Sequence, residues 1–139
     1  MALVLDKPAL QGFLDEVFPQ VKGEFVVEHV EDMYSEIRIP ISDKHLRPGG
    51  TVSGPTMFML ADVAVYATIL AMIGKKALAV TTSCSLDFMR KPAAGKDLMA
   101  KCKLLKLGRV LAVGDVLIYS VGEDKPVARS TMTYSIPPK

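Results

Sequence analysis

The sequence predicts an α+β fold in which an antiparallel sheet packs around one long apolar helix. Three observations carry that expectation. Pro55 to Ile73 is an apolar run whose single charge is Asp62. Short segments with strand-like alternation flank it on both sides. Helical and strand patterns are segregated rather than interleaved, which points to an antiparallel sheet and away from a doubly wound parallel one.

In chain order, Leu10, Phe13, Leu14, Val17 and Phe18 recur at helical spacing between Asp6-Lys7-Pro8, a helix start, and Pro19, a stop. Glu24 to Val30 and Tyr34 to Ile41 read as two strands joined near Glu31-Asp32. Ser42 to Pro55 has no period and carries Pro48, Gly49, Gly50 and Gly54, so it is a loop. The long helix begins at Pro55, where a proline is tolerated, and ends at Gly74. Four further strands are expected over Val80–Phe88, Asp97–Leu107, Val110–Val121 and Pro126–Ile136. The third of these is apolar on both faces, as a central strand should be. Lys101, Lys103 and Lys106 mark an exposed strand face. No internal repeat or linker divides the chain, so one domain over 1–139 is expected.

Half of the residues are hydrophobic, 23% are charged and the formal net charge is +2, a globular composition that demands no nucleic-acid partner. Cys84 and Cys102 lack the paired spacing of a zinc site and are too few for a disulfide scaffold. The first eighteen residues have no basic leader or unbroken apolar run, so the expected location is cytoplasmic. The long apolar helix could span a bilayer by length. Asp62 at mid-span would cost about 2.5 kcal/mol or more in lipid, so a buried core helix is the better reading and no membrane insertion is expected.

Asp62 is the residue that a purely structural account leaves over. A carboxylate among Leu60, Ala61, Val63 and Ala64 must be paired, hydrogen-bonded or protonated. It is either a structural Asp tied to a nearby loop or Thr, or a functional carboxylate. Gly54 stands at the helix N-terminus, where free N–H groups favour negative charge and can hold a developing oxyanion. Eight residues of helix separate the two by roughly 12 Å, too far to meet one carbonyl. If both act in one reaction, Gly54 of one subunit must meet Asp62 of another, and two helices antiparallel across a twofold axis would create two equal sites.

The stretch Ser53-Gly54-Pro55 through Leu60-Ala61-Asp62 resembles the signature of hotdog-fold thioesterases of the phenylacetate-pathway type. There a His-Gly-Gly is followed, after four residues, by a Leu-Ala-Asp-like triplet. Cys84 to Arg90 is similar to the strand that follows the family's helix, and the resemblance extends from about Val26 to Ser135. It implies an acyl-CoA thioesterase that needs no metal and no cofactor, assembled as a homodimer or as paired dimers forming a homotetramer, with sites between subunits. Asp62 matches the acid that activates water or attacks the carbonyl. Gly54 matches the glycine whose N–H polarises that carbonyl, and Thr81 or Thr82 the hydroxyl that helps place water or substrate.

The chain departs from the pattern where the family His is Ser53, the second Gly is Pro55, and a frequent Asn six residues before the His is Arg47. Pro55 has no N–H to offer an oxyanion. His45 lies close enough in sequence to supply a replacement polar contact, although a histidine in such a loop reads first as a solvated one. Arg90 and Lys91, then Arg109, are the expected partners of the CoA phosphates. Two other activities share this fold expectation: non-hydrolytic acyl-CoA binding with a structural Asp62, and an enoyl-CoA hydratase, for which the usual acid/base His is missing at Ser53.

Overall fold

A carboxylate and a hydroxyl start the two helices. Asp6 Oδ1 accepts from the Ala9 N–H at 3.0 Å and Pro8 sits in the first turn of α1 (Lys7–Val17). Ser53 Oγ accepts from the Thr56 N–H to cap α2 (Gly54–Ile73), and Gly74, at a φ of 90°, ends it. The computed structural model describes residues 3–138; residues 1, 2 and 139 of the expected domain lie outside them. α1 turns Leu10, Phe13 and Leu14 inward. α2 has no apolar stripe, because it is buried along most of its circumference. It is long and apolar enough to cross a membrane, yet most of it is buried inside the fold, as the core helix was expected to be.

Six strands form one antiparallel sheet: β1 (Val26–Glu31), β2 (Tyr34–Ile39), β3 (Val80–Phe88), β4 (Leu98–Leu107), β5 (Leu111–Ser120) and β6 (Ala128–Ser135). Their spatial order is β1-β2-β4-β5-β6-β3. The sheet packs its inner face, including Ile37, Ile39, Leu98, Val116, Ile118 and Met132, against α2. This is the hotdog arrangement. The helix lies close because β5 offers a glycine beneath it: a Cβ on Gly114 would stand 2.9 Å from Val65 Cγ1.

The expected elements fall within a few residues of the observed ones, and two details differ. The turn between β1 and β2 is Asp32-Met33, with Met33 in the left-handed region at a φ of 61°. β5 is central, but its outer face is not covered: Leu111 and Leu117 are exposed while Ala112, Val116 and Ile118 are buried. One helix covers one face of a sheet, so apolar residues on both faces of β5 do not mean burial on both. Lys101, Lys103 and Lys106 are exposed along β4, as expected. β3 is an edge strand, and only Thr81 and Leu86 of its nine residues are shielded from full exposure.

Candidate active site

Asp62 is not a lone carboxylate. It sits on α2 facing β3 and β6, whose register sets Thr81 directly across from Tyr134. Both side chains reach the same oxygen: the Thr81 hydroxyl donates to Asp62 Oδ1 at 2.6 Å and the Tyr134 hydroxyl at 2.7 Å. The Tyr134 hydroxyl also lies 3.1 Å from the Asp62 main-chain carbonyl oxygen. Tyr134 is 3% exposed, and burial pushes its pKa well above the usual phenol range. It therefore remains a donor at every working pH. Asp62 itself is only partly buried and opens into a depression of about 400 Å³, walled by Phe18, Val63, Tyr66 and Val80. Tyr66 is fixed there by a 2.8 Å bond to the Ala77 carbonyl and by the Phe18 ring, edge-on at 5.6 Å.

Gly54 lines a second depression, of about 460 Å³, with Arg47, Met57, Phe88, Arg90 and Lys91 among its walls. Among the described residues the Gly54 N–H has no acceptor, as the first residue of a helix should not. Glycine suits this position twice. The ring of a following proline crowds a Cβ in the helical conformation, and a Cβ here would lie 3.1 Å from Phe88 Cζ. The two depressions share no wall residue. β3 links them, with Val80 and Thr81 at the Asp62 end and Phe88 at the Gly54 end.

The other expected site residues divide. Arg47, Arg90 and Lys91 meet beside Gly54, and Arg90 Nη1 donates to the Pro126 carbonyl at 2.7 Å. Arg109, in the β4–β5 turn, lies at the opposite end of the sheet, where Leu111, Ser135 and Val80 are in register. Thr82 does not join Thr81 at Asp62: its hydroxyl donates to the Thr133 carbonyl on an exposed stretch, because neighbouring strand residues face opposite ways. Ser53 is held as the helix cap, its Oγ 2.8 Å from Thr56 Oγ1.

His45 is not a solvated loop residue reaching for substrate. It is 4% exposed and ties the loop together. The Ser42 N–H donates to its Nδ1 at 2.9 Å, which leaves the proton on Nε2, 3.4 Å from Glu24 Oε1. Lys44 pairs with the same carboxylate at 2.7 Å and holds the Glu24 pKa below its usual value. Tyr134 and Phe88 were absent from the sequence-derived site. The alternation of β6 puts Met132 and Tyr134 on its inner face, but nothing local links Tyr134 to Asp62. Among the described residues no group of three His, Cys, Asp or Glu side chains could hold a metal ion.

Residues 49–127 match the thioesterase superfamily, which is more than half of the chain. A protein from a Silicibacter species, assigned as a thioesterase, is 60% identical, with 99% of this chain and 96% of that one covered and a TM-score of 0.93. This chain belongs to the thioesterase superfamily. Within it, the phenylacetic acid degradation protein of Thermus thermophilus is 27% identical over 86% of this chain and 99% of its own, with a TM-score of 0.72. Zebrafish thioesterase superfamily member 2, at 19% identity, shares the fold with a TM-score of 0.84 over 96% of this chain and 99% of its own. The sequence signature is thus that of a hotdog thioesterase of the phenylacetate-pathway type, and the chemistry is thioester hydrolysis.

Proposed function

We propose that this thioesterase hydrolyses an acyl-CoA to the free acid and CoA at a site shared between two subunits. The observation that carries the proposal is the separation of the two depressions along one open edge strand. Antiparallel pairing of β3 with its copy across a twofold axis would set the Val80–Thr81 end of one chain beside the Phe88 end of the other. Asp62 of one subunit would then face the Gly54 N–H of its partner, which the spacing along α2 also requires. Two such sites would form in each dimer, and dimers could pair further into tetramers through the open outer face of the sheet.

In this reading the thioester carbonyl accepts from the Gly54 N–H, which stabilises the oxyanion as water attacks. Asp62 Oδ2, the oxygen that Thr81 and Tyr134 leave free, takes the water proton and returns it to the departing CoA sulfur. Arg47, Arg90 and Lys91 beside Gly54 would receive the CoA phosphates. The depression walled by Phe18, Val63 and Tyr66 would receive the acyl group. No metal or cofactor is needed for these steps. Free thiols at Cys84 and Cys102 suit a cytoplasmic setting.

The test is free-CoA release from short, medium, long and aromatic acyl-CoAs, with wild type beside Asp62→Asn. Turnover of at least one class by wild type is expected, with a loss of roughly 100-fold or more in the folded variant. A folded variant with undiminished turnover would return Asp62 to a structural role. Binding of acyl-CoA by a wild type that releases none would favour the non-hydrolytic reading.

A further inference from the structure

The Asp62 carboxylate receives a second donor that the family signature does not supply. We infer that Tyr134 is a positioning residue for the reaction, acting through Asp62. The inference rests on the thioesterase reading above and adds to it the control of the carboxylate. Three observations carry it. The Tyr134 hydroxyl bonds Asp62 Oδ1 at 2.7 Å and so shares that oxygen with Thr81 at 2.6 Å. Tyr134 and Thr81 are cross-strand partners, so the sheet register itself delivers both donors. The Tyr134 hydroxyl, its one proton directed to Oδ1, also lies 3.1 Å from the main-chain carbonyl oxygen of the same aspartate, so a buried group packs against both backbone and side chain of Asp62.

A hydrogen-bond donor on a carboxylate oxygen favours the charged form in general, and two donors on Oδ1 fix the rotation of this one. They leave Oδ2 without a side-chain donor, on a residue that lines the depression. Each element around Asp62 contributes to that setting. Thr81 comes from β3 and Tyr134 from β6. Tyr66 comes from α2, with its own pKa raised by burial. Phe18, Ala77 and Ala79 come from the connecting segments. No Lys, Arg or His lines the depression among the described residues. The two hydroxyls are therefore the donors that hold the Asp62 carboxylate. Tyr134 borders the depression but is 3% exposed, and it acts on the reaction through Asp62. It works by keeping one carboxylate oxygen occupied and the other aimed.

The experiment measures kcat, KM and the pH dependence of kcat/KM for Tyr134→Phe, together with its unfolding midpoint. The folded variant is expected to lose roughly tenfold in kcat, with KM within about twofold of wild type, because a donor to a charged group is removed and the acyl walls are kept. The acid limb of its profile should move to higher pH. As an isosteric second arm, 3-fluorotyrosine placed at position 134 makes the hydroxyl a stronger donor, and the acid limb should move to lower pH. Unchanged profiles in both arms would overturn the inference while leaving the thioesterase reading intact. If Tyr134→Phe fails to fold, the fluorinated protein alone decides. A folded Asp62→Asn that keeps full turnover would instead remove the reading on which the inference rests.

Discussion

Thr68 has one hydroxyl proton and gives it to the Ala64 carbonyl at 2.6 Å. Ser35, on β2, must then donate to Thr68 Oγ1, also at 2.6 Å, and both side chains are fully buried. Thr68→Val keeps the shape and removes the acceptor, leaving the Ser35 hydroxyl without a partner. The variant should lose about 1–3 kcal/mol of stability in denaturant melts, and Thr68→Val combined with Ser35→Ala should recover part of it. An unchanged midpoint for the single variant would mean that the pair contributes nothing. At this scale the sequence was legible where a residue type clashed with its neighbours. Asp62 stood out because it is the one charge in an apolar run. Tyr134 did not, because an aromatic residue on a strand is ordinary and its bond to Asp62 spans 72 residues. His45 misled for the opposite reason. A histidine in a Gly- and Pro-rich loop reads as solvated, and only its contacts with Ser42 and Glu24 reveal a buried tie.

α2 lies close over β5, and Gly114 permits the approach. An added Cβ would sit 2.9 and 3.0 Å from the two γ-carbons of Val65 and 3.4 Å from Leu104 Cδ2. Val65 is fully buried and cannot swing away. Gly114→Ala should therefore cost about 1–3 kcal/mol through overpacking, and Gly114→Ala with Val65→Ala should recover part of that cost. A Gly114→Ala chain as stable as wild type would show that the helix has room to move off. The elements themselves were legible because periodicity, helix starts and turn residues agree: Asp6, Pro55 and Gly74 bound the helices where their chemistry predicts. The spatial order of strands was not. Nothing within Val80–Phe88 says that it pairs with β6 alone and leaves its other edge open, since that follows from where the chain returns after α2.

The whole molecule presents two separate depressions, which the proposed function joins into one site across a twofold axis. Gly54 gathers Arg47, Arg90 and Lys91 at one end of β3, while Asp62 gathers Thr81 and Tyr134 at the other. The rise of a helix already required this: two residues eight positions apart on α2 cannot meet one carbonyl. The separation of Gly54 from Asp62 was legible in the spacing alone. The strand along which the halves would join was not, because edge position is a property of the folded sheet.

Hybrid dimers test the shared site most directly. Gly54→Leu fills the depression under Phe88 and covers the N–H, while Asp62→Asn removes the carboxylate proposed as base. Each variant alone should be inactive. Co-expressed with separate tags, they form hybrids in which one of two sites is intact, built from Gly54 of one chain and Asp62 of the other. Random pairing should restore roughly a quarter of wild-type turnover per dimer, and purified hybrids roughly half. Hybrids as inactive as the parent variants would place both residues in separate functions within one chain and contradict the account.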